Sequence, residues 1–256
     1  MSNCSLLPTW AVAALLANVG CAGAQTLEQR IARVDGRAQF VFESRPEVCG
    51  DGRTFMSHVL GERHNVTFAD NMTTTQLWPA CVHGPARVVA TVMSGEITRL
   101  KVYVGPVPRD SSVVDLGLVP VADARAFLLR IVQRGVERVA REAMPPLVIA
   151  NGPAPWPELI AVARDDNRPR GVRREAMSWL GQAASARVGG EPETDDDDVR
   201  TSIVFALSQQ KNGSAVPDLI EIARTNKHAA VRGSALFWLG QSGDPRAIDV
   251  MAAILR

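Results

Sequence analysis

From Arg37 to Gly105 apolar and polar residues alternate with a period of two, the spacing of a half-buried β-strand. Three runs stand out: Gln39 to Phe42, Arg87 to Val92, and Glu96 to Val104, the last alternating strictly. Ser94-Gly95 between the second and third predicts a tight hairpin turn. Turn-forming sequence, including Cys49-Gly50-Asp51-Gly52 and Trp78-Pro79, fills the stretch between Cys49 and Cys81. Two or three strands are marginal alone, so this small sheet must pack on something, and the helices that follow are the obvious cover. Beyond a Pro-containing connector, Gly105 to Pro120, the period becomes helical. Asp123 can cap a helix through Phe127, Leu128, Ile131 and Val132, and Val136, Val139, Ala140 and Ala143 carry a second stripe. Pro145-Pro146 and Asn151 to Pro155 punctuate it.

From Trp156 onward the chain repeats itself. Trp156-Pro157-Glu158-Leu159-Ile160 aligns with Val216-Pro217-Asp218-Leu219-Ile220, and Ala163-Arg164 aligns with Ala223-Arg224. The segment Val172 to Gln182 aligns with Val231 to Gln241 at seven of eleven identical positions, among them Arg173/Arg232, Trp179/Trp238 and Gly181/Gly240. A third copy, Val199 to Gln209, keeps the valine, arginine, leucine and glutamine in step. Self-similarity at tens of residues signals stacked helical units, each unable to bury its apolar face alone. Proline at the start of a helix costs no hydrogen bond, so Pro157, Pro217 and Pro245 mark first helices, the last capped by Asp244. Gly181 and Gly240 sit near the ends of the second helices, which suits a tight exit.

This pattern resembles HEAT repeats, and Ala235 to Ala247 is similar to bacterial HEAT-repeat proteins that place a small Cys-containing β-domain ahead of the helices. The likeness is specific over Trp156 to Arg256 and looser over Arg37 to Pro120. It implies an α-solenoid used for protein–protein contact. The chain departs from the pattern between Ala183 and Asp198, where Arg187 to Pro192 replaces a full first helix. The expected class is therefore α+β, a small disulfide-pinned β-domain followed by a short HEAT-type α-solenoid. Its expected divisions are a signal peptide over 1–24, a β-rich domain over 25–110, a helical connector over 111–155 and the repeats over 156–256.

The amino-terminal residues change the picture of where the chain works. Leu6 to Ala24 has no charge, its apolar core is too short to span a bilayer, and Ala22-Gly23-Ala24 offers small residues for cleavage before Gln25. Export to the periplasm or the exterior is the expectation, with a lipid anchor on Cys21 as the alternative. Cleavage leaves Cys49 and Cys81, an even number in an oxidising compartment, so a Cys49–Cys81 disulfide is expected. It would close a loop of ~30 residues and stabilise the domain by roughly 3 kcal/mol. Cys49, Cys81 and His83 with His58 or His64 lack a recognised zinc spacing.

Charge excludes one class of partner. Lys and Arg number 28 against 27 Asp and Glu, a formal net charge of +1, so no basic field draws nucleic acid. The membrane enters only if Cys21 is lipidated. His58, His64, His83 and His228 are scattered, and no nucleophile elbow, phosphate loop or His-Glu-x-x-His is present. No catalytic residue, cofactor or metal ligand is expected. Asp195 to Asp198 suits the positive end of a helix dipole better than calcium. Arg173, Arg200 and Arg232 occupy one repeat position, and with Trp179 and Trp238 they are the candidates for meeting a protein partner, although intramolecular pairing and core packing compete for them. The expected function is an exported, non-enzymatic interaction scaffold. The alternatives are an envelope ligand sensor reading through the β-domain, or a chromophore lyase of the HEAT-like kind.

Overall fold

The structure, a computed structural model, describes residues 25–52, 55–57, 82–106, 110–188, 195–210 and 213–256. The expected signal peptide, Cys21, Cys81, His58 and His64 lie outside them.

A short helix α1 (Leu27–Ile31), closed by a Thr26/Gln29 capping box, leads into strand β1 (Gly36–Phe42). The main sheet adds β5 (Ala86–Met93), β6 (Glu96–Val104) and β7 (Val113–Leu118), in the order β6-β5-β1-β7. The three alternating runs of the sequence are thus β1, β5 and β6, the first two extended slightly and the third with the expected bounds. Ser94 (φ 53°) and Gly95 (φ 79°) both take the left-handed backbone that a two-residue hairpin between twisted strands requires. Alternate residues of β1 and β5, Ala38, Phe40, Phe42 and Ala86, Val88, Ala90, Val92, are fully buried on one face. A second sheet, order β3-β2-β4, is built from β2 (Val48–Gly50), β3 (Phe55–Ser57) and β4 (Val82–His83).

The sheet runs past residue 110, into the stretch expected to be a helical connector. Strand β7 pairs in parallel with β1, and its alternation is broken by Gly117 (φ 75°) and by a register shift opposite Gln39 to Val41. As an edge strand it leaves Val114 and Leu118 exposed, which removes the buried-face pattern that betrays inner strands.

Helices α2 (Val121–Arg134) and α3 (Glu137–Ile149) cover the inner face, with Phe127 meeting Phe40 edge-on at a centroid distance of 5.7 Å. Helix α2 starts at Pro120 without a side-chain cap, and Asp123 sits in its first turn. Pro145 and Pro146 lie within α3, not after it. Each removes one backbone donor, and burial of both among Met144, Leu147, Val148 and Ile149 holds the last turn despite that loss. Helix α3 also guards the open side of β6: Glu142 Oε2 accepts from the Leu100 amide (2.7 Å) and Oε1 from Arg99 Nε (3.0 Å).

The carboxy-terminal helices are α4 (Trp156–Arg164), α5 (Arg170–Val188), α6 (Asp195–Ser208), α7 (Val216–Thr225), α8 (Ala229–Ser242) and α9 (Arg246–Leu255). Pro157 and Pro217 stand at the openings of α4 and α7, and Pro245 at the N-cap of α9, as the repeat predicts. Helices α4/α5 and α7/α8 form the two hairpins, α5 packs most extensively on α8, and α6 lies on the other side of α8. Helix α9 returns against α5 and α4, tied by Arg164 to Asp249 (2.5 Å). The residues expected to replace a first helix lengthen α5 to Val188. One continuous core runs from the sheet through α3 into the repeats, and Arg168 reinforces the joint by donating to the Val132 and Gly135 carbonyls at the end of α2.

Gly181 and Gly240 are buried inside α5 and α8 and do not form helix exits. A Cβ on Gly181 would meet Gly240 Cα and Leu236 O, and one on Gly240 would meet Gly181 Cα and Met177 O. Met177 and Leu236 are equivalent repeat positions, so the two helices present the same face to each other about a local two-fold.

Candidate functional site

The five residues expected to meet a partner are drawn into the fold. Trp179 is buried in the core at 1% exposure. Arg173 pairs with Asp166 (2.5 Å), and Arg232 donates to the carbonyls of Asn226 and Lys227 at the end of α7. Arg200 pairs with Asp197 (2.9 Å), whose carboxylate is nearly inaccessible and also accepts from His228 Nδ1 (3.0 Å). His228 is the N-cap of α8, so this cluster fastens the start of α6 to the start of α8. Within the Asp195 to Asp198 run, Asp197 makes these contacts from the first turn of α6, where a carboxylate also offsets the helix dipole. Trp238 differs from its repeat mate Trp179: it is half-buried and stacks on Phe237 (4.9 Å between centroids) and on Phe205 of α6 (5.0 Å).

Beside that aromatic cluster lies an apolar surface the sequence did not single out. Val199 (59%) and Ile203 (61%), one helical turn apart on α6, face solvent, and Phe205 is 47% exposed. Helix α6 turns Val204 and Asp197 inward onto α8. The two other copies of this helix supply the comparison. Val199 and Ile203 stand at the repeat positions of Val172 and Ala176 in α5 and of Val231 and Ala235 in α8, yet all four of those residues are buried. A first helix ahead of α6 would have covered the equivalent face, and the lengthening of α5 consumes part of the sequence it would need. The signal was therefore available as the departure from the repeat pattern between Ala183 and Asp198.

The family model for HEAT repeats matches residues 192–256, from just ahead of α6 to the last residue. The match supports HEAT repeats over helices α6 to α9. No curated protein matches the chain, and no solved structure matches it. The HEAT match takes in α6, α7, α8 and α9, so the exposed face of α6 belongs to the matched region. HEAT repeats commonly mediate protein interactions, which makes an apolar face in that region the first place to look for one.

Among the described residues no group of three or more His, Cys, Asp or Glu side chains could hold a metal ion, and no helix is long and apolar enough to cross a membrane. Cys49 is buried on β2. The ladder of the small sheet pairs Cys49 with His83 and Gly50 with Val82.

Proposed function

We propose that this protein is an exported, non-enzymatic interaction scaffold, and that a partner protein docks an aliphatic helix face on Val199 and Ile203 of α6. The exposure contrast between α6 and its copies α5 and α8 carries the reading. The same repeat positions are covered by helices in α5 and α8 and left open in α6, so an apolar helix is the occupant whose chemistry the chain itself demonstrates. Such a patch, bordered by the half-buried Trp238 and Phe205, has the aromatic and aliphatic make-up of an interface centre. Arg200 at its edge can contribute to specificity more than to affinity.

Export is supported by the uncharged apolar stretch ahead of Gln25.

The test compares the full chain with Ile203→Asp, Val199→Asp and, as control, Val136→Asp, which changes another exposed aliphatic (69%) on a different helix boundary. A photo-crosslinking residue placed at Ser202 traps the partner, and its identity is read by mass spectrometry. The reading expects both α6 variants to keep the wild-type melting temperature and lose the adduct while the control retains it. An adduct of undiminished yield in folded Ile203→Asp overturns it.

A further inference from the structure

A cavity of about 420 Å³ opens where the end of β1, the junction of β4 with β5 and the end of β7 converge. That volume lies within the range of small-molecule sites. Pro46, Val48, Pro85 and Leu118 give it apolar walls, and Leu118 is 78% exposed although it is an aliphatic residue at the end of a sheet strand. Glu43, Arg45 and His83 supply its charged and polar groups.

The wall that carries Glu43 and Arg45 is held rigidly. The Arg45 amide donates to Ile149 O (2.9 Å), the Asn151 amide donates to Glu43 O (3.0 Å), and Ser44 forms an isolated β-bridge with Ala150. Ser44 is buried and donates to Gly84 O (2.7 Å), while Glu43 and Arg45, its neighbours on either side, line the cavity. In extended chain, residues two apart share a side, so a carboxylate and a guanidinium are carried together along one wall.

No ion pair joins Glu43 or Arg45 to each other or to another described residue. Arg45 Nε donates to Val148 O (3.0 Å), and its Nη2 is buried with no hydrogen-bond partner. Burial lowers the Arg45 pKa, opposed by the charge of Glu47 and aided by that of Arg125. A guanidinium partly stripped of water, with a donor left unused, gains from an anion that approaches it. His83 Nδ1 lies 3.1 Å from Val48 O and donates to that carbonyl.

We propose that this cavity binds a free aliphatic α-amino acid: Arg45 takes the carboxylate, Glu43 the ammonium, and Pro46, Val48, Pro85 and Leu118 the side chain. A ligand with both charges and an apolar body satisfies every group of the site at once, whereas a simple anion would leave Glu43 as a repulsive neighbour. The site is distant in sequence and in fold from α6, so its failure leaves the α6 reading untouched.

Titration calorimetry on the full chain tests it with L-leucine, leucinamide, which lacks the carboxylate, and 4-methylpentanoate, which lacks the amine. Leucine binds saturably, and each analogue binds at least roughly tenfold more weakly, a difference of about 1.4 kcal/mol. Glu43→Gln and Leu118→Asp, both at surface positions, weaken leucine binding by a similar factor without moving the melting temperature, and either variant suffices if the other misfolds. Absence of saturable leucine binding, equal affinity for the analogues, or wild-type affinity in a folded variant overturns the proposal. Binding of Leu-Leu in preference to leucine reassigns the site to a peptide and also overturns it.

Discussion

Gly181 and Gly240 face each other across the α5–α8 crossing so closely that a Cβ on Gly181 would lie 2.5 Å from Gly240 Cα, and one on Gly240 2.7 Å from Gly181 Cα. The obstacle in both directions is backbone, which cannot move aside as a side-chain tip can. Overpacking of this kind costs about 2 kcal/mol. Gly240→Ala is therefore expected to lower the urea midpoint by that equivalent, and Gly181→Ala to do the same. Gly84→Ala, where a Cβ meets nothing within 4 Å, serves as the control and is expected to change stability by less than about 0.5 kcal/mol. Equal midpoints for Gly240→Ala and Gly84→Ala would show that the crossing is looser than described.

Glu142 joins α3 to the sheet through one part-buried backbone donor. Its Oε2 accepts from the Leu100 amide on the open side of β6, while Oε1 meets Arg99 and Arg138. Removing the carboxylate strands the amide, so Glu142→Ala is expected to destabilise by about 1–3 kcal/mol. Glu142→Gln keeps an acceptor and should lose less. Arg138→Ala, which breaks only an exposed pair, should cost under about 1 kcal/mol. Denaturant unfolding of the three variants orders them, and a loss in Arg138→Ala as large as in Glu142→Ala would contradict the assignment.

Asp244 ties stability to pH. The side-chain hydrogen bond from Arg246 holds its carboxyl below the ordinary aspartate range, assisted by the Arg246 amide and charge against a smaller desolvation effect. A carboxylate whose folded pKa is depressed contributes stability that is present above its unfolded pKa and disappears as pH falls through the folded value. Its Oδ1 also accepts from the Arg246 amide at the start of α9 (3.0 Å). Asp244→Ala is expected to cost about 1 kcal/mol at pH 7, the usual net worth of an intramolecular hydrogen bond. The gap between wild type and variant should close as pH drops from about 5 towards 2. A gap that persists undiminished at the acid end would assign the effect to packing instead of charge.

Cys49 and Cys81 give a chemical prediction. Thiol labelling of the mature, denatured chain without reductant should find neither cysteine reactive, and reduction should release both and lower stability by roughly 3 kcal/mol. Two reactive thiols in the unreduced protein would refute the bridge.

Sequence patterning located the parts of the fold whose periodicity survives into burial. Strands β1, β5 and β6 alternate because one face meets α2 and α3, and the Ser94-Gly95 turn is legible because its backbone needs residues that tolerate positive φ. The hairpins α4/α5 and α7/α8 are legible because Val, Ala and Leu recur at helical spacing with proline at the openings. Strand β7 escaped because an edge strand with exposed Val114 and Leu118 carries no inside–outside alternation. Pro145 and Pro146 suggested a break, but burial compensates for the donors they lack. The role of Gly181 and Gly240 was hidden for a different reason: glycine near the end of a helix looks the same whether it lets the chain turn or lets another helix approach. At the candidate site, the arginines and tryptophans stood out by repetition, which tracks the repeat's internal scaffolding. The solvent-facing valine and isoleucine of α6 stood out only against the covered copies on α5 and α8.

The one-sided seating of α6 has a consequence for motion. It is held by Val204, by the Asp197 cluster and by the Phe205–Trp238 contact, whereas α5, α8 and α9 are buried over most of their surface. Helices anchored by few buried groups open first in native-state hydrogen exchange. The amides of Val199 to Phe205 should thus trade their protons well before those of Trp179 or Leu239, and the slowing of that exchange becomes a clock that starts when something settles on the helix.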